Sequence, residues 1–257
     1  MHAPIDIHTY RKFAFDFYDS VLCSGPHQIK SIRALENSRG TKPKKLLETG
    51  LLYYDKIEKI EVHETPDKKT ILIAPTWKEY SLLNQCGMEL ISDLLDTNLY
   101  KIILRPHPQS FVSFKQLTDE TISKFSNHPD FTLDREKSGD LSMSKSDLMI
   151  SDLSGIVWDY IFVQEKPVLL FETPSDLKGF EDTEIPHVSW EKDLIHNHLQ
   201  TFNTINGIID KIENLQASWN QELFREHRNS SLFNFKKSAP IAYKQLTEIL
   251  NEVKTNA

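Results

Sequence analysis

Short apolar, β-branched runs alternate with helical stretches of ten or more residues along this chain, and that alternation restricts it to parallel βαβ units. "TILIAPT" (70–76) reads as a strand, and Leu82, Leu83, Leu90, Leu94 and Leu95 mark a helix over 81–96 on a 3.6-residue period. "YKIILRPHP" (100–108) is the next strand, stopped by two prolines. A helix over 111–126, a strand at "FTL" near 131, a strand "DLMIS" (147–151), a helix over 154–163 and a strand "PVLLF" (167–171) follow. Upstream, "SVLCSG" (20–25) and "KKLLETG" (44–50) read as two further strands flanking a helix near 27–38. Polar "EVHETPDKKT" (61–70), with its Pro66, is the natural linker. It separates residues 1–60, an incomplete N-terminal portion, from residues 70–257, a fuller α/β domain. Past Glu172 the pattern turns helical, over 191–199, 202–216, 218–228 and 240–254, which makes a helical C-terminal tail.

The 257 residues, 39% apolar, are enough for one large domain or two small ones. A net charge of −7 argues against a general polyanion binder, so no nucleic-acid partner is expected, while a single nucleotide or phosphate group remains compatible. Cys23 and Cys86 are too few for a disulfide framework and read as buried thiols of a reducing compartment. No apolar run approaches the ~18 residues of a membrane span, and the N-terminus lacks a charged-then-apolar signal. A cytoplasmic location is expected, with peripheral contact at the inner membrane face compatible with it.

In open parallel sheets ligands bind at the carboxyl ends of strands, which singles out three polar inserts: "APTW" after strand 70, "RPHP" after strand 100 and "SDLSG" after strand 147. "RPHP" sets Arg105 and His107 at one strand end. Arg105 offers a fork of donors and His107 a ring donor to a phosphate oxygen. The competing reading is that both merely complete a hydrogen-bond network. Ser154 is an N-cap candidate for "GIVWDYIFV", whose terminus presents amides at Gly155 and Ile156, a ready phosphate site. Gly155, without a Cβ, permits close approach, and Ser154 adds a hydroxyl. Alternatively Ser154 only caps its helix while Asp152 satisfies local amides. Asp159 favours the positive end of that helix. Thr76, Trp77 and Lys78 line one rim, with Trp77 read as core ahead of a stacking platform. Glu172 either receives ribose hydroxyls or is an exposed charge. No spacing suggests a metal, since His196 and His198 diverge on a helix and no HExxH string appears; His63, His128 and His187 read as solvated. A Walker loop and a GxGxxG are both absent, and no cofactor is expected.

These residues resemble the CDP-glycerol glycerophosphotransferase family, the teichoic-acid primase and polymerase group with a GT-B fold. The match runs from about Phe15 to Phe171 through "GPHQIKSIRALE", "ETGLLYYDKI", "ILIAPTWKE", "IILRPHP" and "DLMISDLSGIVWDYIFVQEKPVLLF". The last two are the most specific, an HP string followed by an S-D-x-S-[SG] string before "DY" and "KP". The resemblance implies a Rossmann-like parallel sheet flanked by helices, preceded by the end of another Rossmann-like domain. It implies that His107 meets the pyrophosphate of a CDP-linked donor, that Ser154, Gly155 and the adjacent helix terminus hold the same phosphates, and that Asp152 helps order that loop. Arg105 as a further phosphate contact, and Thr76, Asp159 and Glu172 as nucleotide or loop-ordering contacts, rest on their strand-end and helix positions. The second Ser common in the family's loop is Gly155 here. A histidine proposed as general base in the family has a counterpart in His2.

The implied activity is transfer of glycerol phosphate or another polyol phosphate to a hydroxyl acceptor, itself a polyol phosphate or glycan and compatible with a lipid link, in cell-wall or surface-polymer synthesis, releasing CMP. Two rivals stand beside it: a GT-B glycosyltransferase using a CMP- or UDP-sugar, and a nucleotide-binding module without turnover. The segment "SLFNFKKS" (231–238) is expected to pack as core rather than on membrane.

Overall fold

A computed structural model describes residues 4–62, 67–174 and 178–255. In chain order its elements are β1 (Ser20–Cys23), α1 (Pro26–Arg39), β2 (Lys45–Glu48), β3 (Lys69–Ile73), α2 (Met88–Asp96), β4 (Tyr100–Leu104), α3 (Ser110–Ser113), α4 (Lys115–Phe125), β5 (Phe131–Leu133), α5 (Asp140–Lys145), β6 (Leu148–Ser151), α6 (Gly155–Asp159), β7 (Val168–Phe171), α7 (Trp190–His198), β8 (Gln200–Phe202), α8 (Ile208–Ser218), α9 (Gln221–Ser231) and α10 (Ser238–Thr255). They group into two compact units, one drawn from residues 1–57, 175–198 and 225–257 and the other from 58–174 and 199–224. The tail expected to stay with the second domain is therefore shared between the units, and the division falls within α9.

The larger unit is a six-stranded sheet in the order β5-β4-β3-β6-β7-β8, with every neighbouring pair parallel. Parallel strands are covered on both faces, which is why β3, β6 and β7 read as continuous apolar runs. Ile71, Ile73, Leu104, Leu148, Ile150 and Leu169 are fully buried against Leu90, Ile91 and Leu94 of α2 and Ile212 of α8. From β3 the chain winds outward through β4 to β5, then returns to place β6 on the other side of β3. The crevice where winding reverses, between the carboxyl ends of β3 and its two neighbours, is where such sheets bind ligands.

In the smaller unit β1 and β2 pair in parallel, Ser20 opposite Lys45 and Cys23 opposite Glu48, with α1 as the crossover. Pro26 opens α1, where its missing amide costs nothing, and Gly40 closes it at φ +61°, donating its amide to the Glu36 carbonyl. Ile7, Phe15, Cys23, Ile32, Leu35 and Ile185 form its core. In the segment 231–238, Leu232 is buried and the ring of Phe235 lies 5.1 Å from that of Tyr54.

Three helical expectations change. The helix expected over 81–96 begins with a π-helical turn, Leu83–Gly87, before α2. That over 111–126 divides into α3 and α4 at Phe114, whose backbone leaves the helical region at φ −130°, ψ 38°. The helix expected over 154–163 starts as α6 and widens into a π-helical turn, Tyr160–Gln164, ended by Glu165 at φ +58°. The edge strand β8 lies where only helices were expected. No helix among the described residues is long and apolar enough to cross a membrane.

Candidate functional site

At the reversal point the inserts after β3 and β6 are tied together by one carboxylate. Asp152, fully buried, accepts from the Thr76 amide through Oδ1 (2.7 Å) and from the Leu82 amide through Oδ2 (2.8 Å). Ser151 adds a hydroxyl bond to the Ala74 carbonyl (2.6 Å). Burial pushes the Asp152 carboxyl above its ordinary pKa against the opposing pull of these amides and the Thr76 hydroxyl. Asp152 is thus a clamp that shapes the crevice from beneath.

Ser154 stands at the N-cap of α6 in extended conformation, yet its side chain makes no capping bond. Of the alternative in which Ser154 caps its helix while Asp152 satisfies amides, the structure holds the Asp152 part and no capping bond from Ser154. The first turn of α6 is thus left without a side-chain cap.

His107 follows β4, at the carboxyl end of the strand beside β3. The Gln109 amide donates to its Nδ1 at 3.1 Å, which assigns the proton of the neutral ring to Nε2. Partial desolvation holds its pKa below the ordinary 6.5, so the ring is neutral at pH 7 and presents an N–H donor. Trp77, expected in the core, is 41% exposed, and its ring centroid lies 6.3 Å from that of His107.

Arg105 is less free than its position at a strand end suggests. Its Nη1 pairs with Asp134 Oδ2 at 2.7 Å, and Nη2 lies 3.4 Å from the Lys137 carbonyl oxygen. A Cβ on Gly139 would sit 3.2 Å from Arg105 Nε and 3.3 Å from Ile156 Cδ1. The guanidinium and the first turn of α6 thus converge on a residue with no side chain. Asp134 also accepts from the Ser142 hydroxyl (2.5 Å) and the Glu136 amide (2.8 Å). Beside this network opens a cleft of about 420 Å³ whose walls include Arg105, Pro108, Phe111 and Arg135, the Arg135 guanidinium lying 4.4 Å from the Phe111 ring centroid. Asp134 and Arg135 were missed from the sequence, where "TLDRE" after a three-residue strand carries no motif.

A family model described as CDP-Glycerol:Poly(glycerophosphate) glycerophosphotransferase matches residues 10–239. The chain belongs to this family. No curated protein sequence matches it. Among solved structures, it is similar to a protein from Listeria monocytogenes described as a UDP-N-acetylglucosamine 2-epimerase (15% identity, 92% of this chain and 60% of that one, TM-score 0.57). It is also similar to S. aureus MnaA solved with UDP (14% identity, 93% and 59%, TM-score 0.51). The chain spans about 60% of the length of these structures, and the likeness gives the fold, a GT-B-type parallel sheet flanked by helices.

Glu172 and Asp159 are two further expected residues of this glycerophosphotransferase-family chain. Glu172 is exposed and accepts from the Thr201 hydroxyl (2.5 Å), at the β7–β8 side of the sheet. Asp159 is buried on α6. His2 and His63 lie outside the described residues. His187, expected in solvent, is half-buried, with Nε2 3.0 Å from Ser31 Oγ. Burial raises the thiols of Cys23 to about 12 and Cys86 to about 11, so neither offers a thiolate nucleophile at neutral pH; Cys86 is half-buried rather than buried.

Proposed function

We propose that this chain binds a CDP-linked polyol phosphate and carries the donor side of its transfer to a hydroxyl acceptor in surface-polymer synthesis. The observation that carries the reading is the uncapped terminus of α6. Ser154, Gly155 and Ile156 follow directly on β6, at the carboxyl end of the sheet where its winding reverses, within a family named for this chemistry. The acceptor oxygen attacks the phosphorus bearing the polyol, the bond from that phosphorus to the bridging oxygen breaks, and CMP leaves with the electron pair. The hydroxyl proton passes to a base, for which the family resemblance offers His2. Charge grows on the bridging and non-bridging oxygens, where Nε2–H of His107, the Ser154 hydroxyl and the helix terminus are fixed donors. Arg105, balanced by Asp134, adds positive potential beside them. The cleft walled by Phe111 and Arg135 lies within the size range of small-molecule sites and suits the nucleoside.

Calorimetric titration of the chain with CDP-glycerol, CDP, UDP and a UDP-sugar tests this. Saturable binding of the cytidine compounds, weakened about tenfold or more in Ser154→Ala, supports the reading. Binding of the uridine compounds alone would assign the crevice to sugar transfer instead.

A further inference from the structure

We propose that Asp6, His8 and His187 form a binding site for a divalent metal ion of borderline softness, zinc before others, in the smaller unit. Asp6 and His8 come from the short 3-10 turn at Ile7–Thr9 and its cap, and His187 from the segment before α7. One ligand atom from each lies within 4.8 Å of the other two. The Asp6 and His8 side chains are each 1% exposed.

The hydrogen bonds define which atoms are available. His8 Nε2 lies 2.9 Å from the His187 carbonyl oxygen. A carbonyl only accepts, so Nε2 carries the proton and Nδ1 of the neutral ring carries a lone pair. That Nδ1 is buried without a hydrogen-bond partner and points at Asp6 Oδ2 from 3.5 Å. A lone pair facing a carboxylate in a buried site repels it unless a cation lies between them, either a proton on Nδ1 or a metal ion. The distance separates the two cases. A proton shared in a charge-assisted bond draws nitrogen and oxygen to about 2.7–2.9 Å. Ligands held at about 2.0–2.1 Å around a tetrahedral zinc stand about 3.3–3.4 Å apart, close to the 3.5 Å between His8 Nδ1 and Asp6 Oδ2, while the His187 ligand atom lies within 4.8 Å of both.

The surrounding shell agrees. A metal-bound histidine typically donates its other N–H to a carbonyl, as His8 does, and a ligating carboxylate is itself hydrogen-bonded. Asp6 Oδ1 accepts from the Ile7 amide at 2.7 Å. A second carboxyl group, Glu191, accepts from the Asp6 amide at 3.0 Å. Two imidazoles and one carboxylate are a ligand set suited to zinc with a fourth position for water. His187, half-buried and outside helix and strand, has its Nε2 3.0 Å from Ser31 Oγ and would have to move inward to complete the set.

The test uses the full chain freed of metal by chelation and titrated with Co²⁺, whose visible absorption reports coordination, followed by displacement with Zn²⁺. One saturable equivalent is expected in the wild type, with a rise in melting temperature on Zn²⁺ addition. His187→Ala should bind at least about tenfold more weakly and lose the melting shift. His187→Gln serves if the alanine variant does not keep the metal-free melt of the wild type. The other close histidine pair, His198 and His227 with ring centroids 4.6 Å apart, supplies the control: His198→Ala should keep the site. No saturable uptake would assign the Nδ1 cation to a proton and overturn the proposal. Uptake unchanged in the His187 variants, or lost in His198→Ala, would equally overturn it.

Discussion

At the scale of single residues, His107 is set by one backbone amide. Because Gln109 donates to Nδ1, the neutral ring must donate through Nε2, and partial desolvation favours that neutral form. The folded-state pKa is depressed, so the ring gains its charge only as pH falls below 6.5. A pyrophosphate diester has no ionisation of its own there, and a charged donor binds an anion more strongly than a neutral one. Affinity for CDP-glycerol should therefore be level between pH 8 and 7 and rise about tenfold as His107 becomes protonated. His107→Gln keeps a neutral donor and should retain most of the pH 7 affinity while losing the rise; His107→Ala should lose both. Calorimetry across pH checks this, and a wild-type affinity that does not respond to acid would remove His107 from the phosphate site. Arg105 shows the opposite case: the same insert suggested a free fork, but Asp134, 29 residues away, occupies it.

At the scale of elements, the crevice depends on two loops held by Asp152 alone of the site residues. Asp152→Ala strands the Thr76 and Leu82 amides and should destabilise the protein by about 2–6 kcal/mol, from roughly 1–3 kcal/mol for each unsatisfied donor. Asp152→Asn retains one acceptor and should cost about half as much. Urea midpoints measure both, and donor affinity should fall in the same order; equal midpoints for all three chains would show that the loops hold without the clamp. The strands themselves were legible, because parallel strands buried on both faces leave unbroken apolar runs. Their helices were less so. Nothing in "GIVWDYIFVQ" announces that the helix widens at Tyr160, where the Tyr160 hydroxyl meets Ser146 and Lys166 Nζ reaches the carbonyls of Ser144 and Ser146 (2.7 and 2.6 Å). Ser154 likewise looked like a cap by type, and only the structure shows its hydroxyl without that duty.

At the scale of the molecule, the smaller unit is assembled from three stretches far apart in sequence, and this is the part least readable from the chain. No window of a dozen residues contains both His8 and His187, or both Arg39 and its partners. Arg39, 9% exposed at its side chain, bonds Asp16 (2.7 Å), Glu184 (2.8 Å) and the fully buried Glu181, and lies over the Phe13 ring. One cation thus bonds three carboxylates from both sides of a 142-residue gap, with Lys12 adding a second cation at Glu184 (2.9 Å). Arg39→Met should destabilise the protein by about 3–5 kcal/mol, because it leaves Glu181 buried and uncompensated beside like charges. The pH dependence identifies the cause. Arg39 holds the Glu184 carboxyl below its ordinary 4.5, so the stabilisation is present above that value and is lost as pH falls through the depressed one. In the variant Glu184 loses that partner, and its protonation relieves repulsion by the neighbouring carboxylates. The gap in melting temperature between wild type and Arg39→Met should therefore be widest near pH 7 and narrow toward pH 4. Adding Glu181→Gln to Arg39→Met should recover part of the loss at pH 7, a coupling expected of groups in one network. A gap that stays constant with pH, with no recovery in the double variant, would mean that Arg39 acts by packing against Phe13 and not as the charge that closes the unit.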